Sequence, residues 1–220
     1  MLSDAVYEIL QLSGILAFAI SGALVGVRRR LDILGVVVVG SFTGVGGGIV
    51  RDMLLGVHPP VSFTHWPNLA VAVAGSLAVF FIHPGITRIR HFEVVFDAFG
   101  LGLFSANGAA TALAAGQTPL TAILVGTITA IGGGVIRDVL VNTVPGVLTR
   151  ELYAVSALLG AGIAVAIMAL GGGNGLASLV GGAGAILLRL TSVARGWHLP
   201  KPRIGRERSP GDSQEAPGEG

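Results

Sequence analysis

The sequence predicts an all-α integral membrane protein with seven transmembrane helices, arranged as two inverted three-helix repeats followed by a seventh helix. Three observations predict this fold. Of the 220 residues, 52% are hydrophobic and only 12% are charged, whereas an ordinary soluble domain has roughly 25% charged residues. Seven apolar segments have about the 20 residues that a helix needs to cross a bilayer. Finally, a glycine-rich motif occurs twice in the chain.

The apolar segments are separated by short connections that are rich in proline and glycine. We expect the spans at 5–26, 33–56, 66–83, 93–115, 119–141, 151–170 and 174–193. A cleaved signal peptide is not expected, because the N-terminus carries Asp4 and Glu8 instead of a basic region. The chain has no cysteine, which excludes disulfides and thiolate metal ligands, and no metal or cofactor is expected.

The basic residues orient the predicted bundle. Twelve of the 14 follow spans one, three, five and seven, and the opposite loops contain none. These twelve are Arg28, Arg29, Arg30, Arg88, Arg90, Arg150, Arg189, Arg195, Lys201, Arg203, Arg206 and Arg208. Because basic loops stay in the cytoplasm, we expect an inner (plasma) membrane protein with its N-terminus outside and its C-terminus in the cytoplasm.

Two copies of one motif indicate an internal duplication. "TGVGGGIVRDMLL" at 43–55 and "TAIGGGVIRDVLV" at 129–141 are identical at seven of 13 positions, with an offset of 86 residues. The predicted units are a first three-helix repeat at 1–86, a second at 87–172, a seventh helix at 173–195 and a disordered cytoplasmic tail at 196–220. Three is an odd number of spans, so the halves have opposite orientations, and inverted repeats commonly enclose a central pathway.

Each motif places an arginine and an aspartate inside the membrane. These residues are Arg51, Asp52, Arg137 and Asp138. A charge at a helix centre costs about 2.5–3.5 kcal/mol on insertion scales, so the four charges should face one another, backbone carbonyls or water. Neighbours in a helix point about 100° apart, and we therefore expect Arg51 to pair with Asp138 and Arg137 with Asp52. These pairs either line and gate a permeation path or only lock the two halves together.

The glycines of the motif give the charged residues room. Without side chains they allow a second helix to approach closely, and they weaken the helix. We expect them to kink or break each span and to begin a new half-helix with an electropositive N-terminus. They are Gly46, Gly47, Gly48, Gly132, Gly133 and Gly134.

Asp97 is a further candidate, one turn into predicted span four. It either attracts cations at the cytoplasmic mouth or is a helix N-terminal carboxylate that the dipole favours. Gln11 is its counterpart in the first repeat. Glu8 and Glu93, at span ends, are expected at the interface. Ser21, Asn107 and Thr111 are expected to form hydrogen bonds between helices.

The paired GGGxxRD motifs, the "FAISGAL" and "DAFGLGLF" stretches and the seven spans closely resemble the bacterial and archaeal branch of the trimeric intracellular cation (TRIC) channel family. This branch is also described as a glycine-transporter-domain family. The resemblance covers about 1–195. It implies a homotrimer with one hourglass-shaped pore in each protomer, formed by two kinked helices that correspond to spans two and five. The resemblance leads us to expect an aspartate at position 11. This sequence has Gln11 there, so Asp97 has no acidic counterpart in the first repeat.

Together these features favour a passive, potassium-permeable channel for monovalent cations, potassium and sodium. Membrane lipids are expected as partners, and anionic lipids are candidates for binding to the basic part of the tail. Nucleic acid is not expected as a partner. The alternative is a secondary carrier of glycine or a similar small zwitterion, in which arginine binds the carboxylate and aspartate the amine. A structural membrane protein without transport is the third hypothesis. No coherent acid–base or nucleophile set is present, so an enzyme is not expected.

Overall fold

The computed structural model describes residues 2–83, 89–149 and 152–197. Within these ranges every regular element is a helix, which confirms the all-α prediction. In chain order the helices are α1 (Leu2–Arg28), α2 (Ile33–Leu54), α3 (Val61–Thr64), α4 (Trp66–Ile82), α5 (Ile89–Ala114), α6 (Pro119–Leu140), α7 (Gly146–Thr149), α8 (Tyr153–Ala169) and α9 (Asn174–Arg195). The loop arginines Arg88 and Arg150, and the predicted tail beyond Trp197, lie outside the described residues.

Seven of these helices match the predicted spans to within a few residues. Five of them, α1, α2, α5, α6 and α9, are long and apolar enough to cross a membrane. The apolar helices α4 and α8 have 17 residues each. At 1.5 Å per residue they are about 26 Å long, slightly less than the roughly 30 Å of a hydrocarbon core. An integral membrane protein is therefore confirmed, and the count of seven spans stays a prediction.

Local sequence signals explain where the motif helices begin. The Asp32 carboxylate accepts a hydrogen bond of 2.7 Å from the Gly35 amide and so caps α2. The Thr118 hydroxyl accepts one of 3.3 Å from the Thr121 amide and caps α6, with Pro119 in the first turn. Such caps satisfy amides that have no partner within the helix. These caps therefore explain why the two motif helices start at Ile33 and Pro119.

Both glycine motifs lie inside uninterrupted helices. Each of α2 and α6 is continuous over 22 residues through its three glycines, so the predicted helix break and new half-helix are wrong. The physical reason is that a glycine within a helix costs only about 1 kcal/mol, whereas an unsatisfied backbone group in the hydrocarbon region costs several. Bending of the helix axes at the glycines stays a prediction.

The two motif helices cross in direct backbone contact. A Cβ atom on Gly47 would collide with the carbonyl oxygen of Thr129 in α6, and one on Gly133 would collide with the carbonyl oxygen of Thr43 in α2. The two contacts are related by the 86-residue offset of the repeat. The close approach that the glycines predict is therefore confirmed at the central glycine of each motif.

The contact between α1 and α5 shows the same offset. The rings of Phe18 and Phe104 pack edge to face, with centroids 5.2 Å apart. Gly100 leaves room for the Phe18 ring, and Gly14 leaves room for the Phe104 ring. Each of these residues has its counterpart 86 positions away. The two halves thus meet through matched aromatic and glycine positions at the centre of the fold.

Small residues form much of the interior. Ala106, Ala109 and Ala112 on one helix are fully buried, while large apolar residues such as Leu34 and Trp66 are exposed on the outside. Helices in a membrane associate by close packing of small side chains, because lipid is as apolar as leucine. The small side chains therefore allow the helices of the interior to pack closely against one another.

Candidate functional site

The first charged cluster lies at the C-terminal end of α2. The Arg51 guanidinium donates to Asp52 Oδ1 through Nε at 2.9 Å and through Nη2 at 2.7 Å. The second carboxylate oxygen of Asp52 accepts a hydrogen bond of 2.8 Å from the Val61 amide, where α3 begins. Both charged side chains are buried, with 7% exposure for Arg51 and 2% for Asp52. The aspartate thus joins the arginine to the short helix that follows it.

The second cluster repeats this arrangement at the end of α6. Arg137 Nε donates to Asp138 Oδ1 at 2.9 Å. Asp138 Oδ2 accepts from the Gly146 amide at 2.7 Å, where α7 begins. Neither short helix was expected from the sequence, and each supplies a backbone donor that fixes an aspartate. Both motifs therefore form the same local unit of arginine, aspartate and short helix.

The predicted pairing across the repeat is wrong. We expected Arg51 with Asp138 and Arg137 with Asp52, because adjacent residues diverge on a helix. The arginine side chain is long enough to turn back to the carboxylate of the next residue, which the amide of the following short helix holds in place. The motif residues form two separate ion pairs, one at the end of each motif helix.

Arg137 has two further partners that Arg51 lacks. Its Nη1 donates to Asp97 Oδ1 of α5 at 2.5 Å and to Ser21 Oγ of α1 at 2.9 Å. All three side chains are almost completely buried. Since α5 begins at Ile89, Asp97 lies two turns inside the helix, so its interpretation as an N-terminal carboxylate is wrong. Its carboxylate instead connects three helices.

The corresponding place in the first half is a small cavity with polar and apolar walls, the apolar part including Ile15, Val45 and Phe104. Gln11 occupies the position of Asp97, and its Nε2 donates to Asn68 Oδ1 at 3.4 Å. A cavity of about 10 Å³, the room that one water molecule occupies, is lined by Gln11, Ser62, Asn68 and Arg51. Within the part of the chain that the structure describes, Arg51 bonds only to Asp52. The two halves therefore share a scaffold but differ by one buried carboxylate.

Sequence reasoning missed two residues beside Asp97. The Tyr153 hydroxyl donates to Asp97 Oδ1 at 3.4 Å, and the guanidinium carbon of Arg189 lies 5.1 Å from the centre of the Tyr153 ring. Arg189 was expected to be a topology residue at the end of the seventh span, yet it is 1% exposed and lies six residues before the end of α9. Its position inside the apolar run "AILLRLTSV" is the signal that identifies it.

Two further predictions concern hydrogen bonds between helices and the position of Glu93. The Tyr7 hydroxyl donates to Asn107 Oδ1 at 2.9 Å and contacts Thr111 Oγ1 at 2.5 Å, so the predicted hydrogen bonds between helices are confirmed. Glu93 was expected at the interface but is buried and pairs with Arg28. The start of α5, four residues earlier than predicted, explains the difference, because Glu93 then lies inside the bundle.

Fold and site together define a helical membrane protein with two matched arginine–aspartate units around a glycine crossing. A family model described as "Glycine transporter" matches the chain twice, over residues 8–84 and 94–169. The chain belongs to this family, in the branch that includes the prokaryotic TRIC channels. The two matches begin 86 residues apart, the same offset as the two motifs.

Curated relatives and solved structures agree with this assignment. The chain is 37% identical to the UPF0126 inner membrane protein YadS of Escherichia coli over 196 residues, which cover 88% of this chain and 93% of that protein. It is 44% identical to a UPF0126 membrane protein of Deinococcus radiodurans over 155 residues, 70% of this chain and 72% of that protein. A TRIC trimeric intracellular cation channel orthologue from Rhodobacter sphaeroides is similar in structure, with a TM-score of 0.83 and 38% identity over 87% of this chain and 98% of that chain.

Proposed function

We propose that the chain is the protomer of a homotrimeric, potassium-permeable cation channel with one pore in each protomer. The similarity to the Rhodobacter sphaeroides orthologue, itself named a trimeric intracellular cation channel, supports this proposal at 38% identity over nearly the whole of that chain. The observation that carries it is the burial of Arg51 and Arg137 with their aspartates beside the crossing of α2 and α6. Charges inside a membrane protein typically mark the path of an ion or substrate.

In this proposal α2 and α6 line the pore, with Arg51, Asp52, Arg137, Asp138 and Asp97 along it. Each arginine is neutralised by an adjacent carboxylate, so a monovalent cation does not meet a net positive barrier. The sequence contains no "TVGYG" segment of the kind that builds a ring of carbonyls, and we therefore expect only a weak preference for potassium over sodium. In this proposal the described conformation is closed at Arg137, because that side chain is fully buried against Asp97, Asp138 and Ser21 and, among the described residues, no open path runs beside it.

The architecture that we propose consists of two inverted repeats, 1–86 and 87–172, and a seventh helix at 173–195. Support comes from the family model, which matches each half separately, and from contacts that recur with the 86-residue offset. The predicted seven spans place the N-terminus outside an inner (plasma) membrane and the C-terminus in the cytoplasm. Membrane lipids surround the trimer in this proposal, and anionic lipids are candidates for contact with the basic tail.

Single-channel recording tests the proposed function. Purified trimers reconstituted in a planar bilayer should give unitary currents in symmetric potassium chloride. Replacing potassium by sodium should lower the unitary conductance only modestly, because no selective carbonyl ring is expected. Trimers that are intact by size and yet give no unitary current would contradict the proposal.

A second candidate function, a carrier of glycine or a similar small zwitterion, is favoured by the description of the matching family model as "Glycine transporter". The cavity beside Arg51 has room for about one water molecule, so a carrier of this kind would have to open before the zwitterion could reach the arginine. An arginine binds a carboxylate well, and such sites lie between inverted repeats in several carriers. Saturable uptake of labelled glycine into proteoliposomes, lost in Arg51→Ala and in Arg137→Ala, would favour the carrier over the channel.

A further inference from the structure

The two motif arginines differ in the contacts of one guanidinium nitrogen. Nη1 of Arg137 donates to Asp97 Oδ1 at 2.5 Å and to Ser21 Oγ at 2.9 Å. Within the described part of the chain, the hydrogen bonds of Arg51 go to Asp52 alone, through Nε and Nη2. The Nη1 group of Arg51 therefore still has its N–H donors to offer, although the residue is only 7% exposed.

The cavity that Arg51 lines corresponds in position to the Asp97 carboxylate of the second half. Gln11, the counterpart of Asp97 at the 86-residue offset, lines this cavity together with Ser62 and Asn68. The hydroxyl of Ser62 forms no hydrogen bond among the described residues, and Asn68 Oδ1 accepts only the long bond of 3.4 Å from Gln11. The cavity thus brings together polar groups that have hydrogen-bonding capacity left.

A buried amide nearby repeats this pattern. Asn107 Oδ1 accepts a hydrogen bond of 2.9 Å from the Tyr7 hydroxyl, whereas its Nδ2 is buried without a hydrogen-bond partner. Asn107 lies one turn beyond Phe104, which lines the cavity. Its counterpart in the first repeat is Ser21, which bonds directly to Arg137. Since buried polar groups are nearly always paired with protein or with ordered water, these donors indicate a bound acceptor.

Size and charge determine which acceptor fits. The volume of about 10 Å³ admits a ligand of one heavy atom. A halide ion would have to lose its hydration shell and would be a second anion on Arg51, which Asp52 already neutralises. A metal cation would meet the guanidinium charge. A water molecule is neutral, can accept from Arg51 and can donate to Asn68 and Ser62, and so has the two to four polar partners that buried water requires.

We propose that the cavity is a binding site for one ordered water molecule, which accepts a hydrogen bond from Arg51 in the place that the Asp97 carboxylate has on Arg137. A water molecule exchanges with its surroundings, whereas Asp97 is fixed to α5. Arg51 is therefore the motif arginine that can change its partner, and Arg137 is the one that cannot. The site goes beyond the proposed channel function and does not depend on it, because bound water is detected whether or not the protein conducts.

A crystallographic map of the full-length trimer, from crystals soaked in potassium bromide and at a resolution that shows ordered water, tests the proposal. We expect one peak without anomalous bromine signal within hydrogen-bonding distance of Arg51 Nη1 and Ser62 Oγ. The same map contains a matched control at Arg137, where Asp97 and Ser21 hold the equivalent positions and no such peak should lie at Nη1. No peak at Arg51, an anomalous bromide peak there, or an equal peak at Arg137 would overturn the proposal.

Radiolytic labelling supplies a second readout in solution, because hydroxyl radicals formed from a bound water oxidise the side chains that it touches. Phe104 lines the cavity, whereas its counterpart Phe18 packs against it from the other repeat. We expect Phe104 to be oxidised several-fold faster than Phe18. Ser62→Ala removes one partner of the water and should reduce this ratio. Ser76→Ala, whose hydroxyl bonds within its own helix to the Ala72 carbonyl, should not. Equal oxidation of the two rings, or the same ratio in both serine variants, would contradict the water site.

Discussion

The crossing of α2 and α6 predicts that the three glycines of each motif respond differently to the same substitution. A methyl group on Gly47 would collide with the Thr129 carbonyl oxygen, and its counterpart Gly133 would collide with the Thr43 carbonyl oxygen. A carbonyl oxygen belongs to the backbone and cannot rotate away, so the helices must separate. Gly47→Ala and Gly133→Ala should therefore both destabilise the fold.

The size of the effect follows from two opposing terms. Inserting a methyl group into a tight contact typically costs about 1–3 kcal/mol, while alanine gains up to about 1 kcal/mol of helix propensity over glycine. Because the clash is with backbone atoms, the cost lies in the upper part of this range, about 2–3 kcal/mol, and the net loss should be about 1–2 kcal/mol. For a chain of this size each kcal/mol lowers the thermal midpoint by about 2–4 °C, so the expected decrease is roughly 2–8 °C.

The motif itself provides the control. A Cβ on Gly48 would lie 3.6 Å from the Ser62 hydroxyl, and one on Gly132 would lie 3.4 Å from the Gly47 Cα, both ordinary contact distances. Gly48→Ala and Gly132→Ala should keep or slightly raise the midpoint. Thermal unfolding of all four variants in one detergent checks this. Equal midpoints for Gly47→Ala and Gly48→Ala would refute the proposed crossing geometry.

The remaining predictions concern the charged and polar network. Arg51→Ala and Arg137→Ala should each alter unitary conductance or open time, whereas Arg29→Ala, in the turn that follows α1, should alter neither. An equal effect of the three variants in bilayer recordings would contradict the site. Gln11→Asp adds a second carboxylate to the cavity that Arg51 lines, where Asp52 already balances the arginine, so it should lower stability by about 1–3 kcal/mol. Thermal unfolding beside the neutral Gln11→Asn measures this. Tyr7→Phe removes the hydroxyl that joins α1 to α5 and should cost about 1–2 kcal/mol; a thermal midpoint within error of the parent would show that this bond does not contribute.

Much of the fold follows from local sequence, because hydrophobic length alone identifies membrane helices. The starts of α2 and α6 coincide with the predicted starts of spans two and five, since Asp32 and Thr118 are recognisable caps. The close approach at the glycines was also predictable, because a small residue is needed wherever two backbones touch. In these cases the residue type alone indicates the structure, because a capping residue marks a helix start and a glycine allows two backbones to touch.

The site was harder to predict, since its partners depend on side-chain reach and tertiary packing. The direction of the Cα–Cβ bonds suggested that the side chains of Arg51 and Asp52 diverge. The arginine side chain is long enough to reach back to the Asp52 carboxylate, and the Val61 amide, at the start of a short helix that was not expected, holds that carboxylate in place. Arg189 follows the same logic, because nothing local distinguishes a buried arginine near a cytoplasmic end from a topology residue. Only the packing of α9 against α8 places it over Tyr153.

The reversal potential in a potassium chloride gradient tests the central proposal most directly. Purified trimers in a planar bilayer with a tenfold gradient should carry unitary currents that reverse close to the potassium potential, about 59 mV in magnitude for a monovalent ion. A reversal at the chloride potential, of opposite sign, or intact trimers without current that nevertheless take up glycine saturably, would contradict a cation channel.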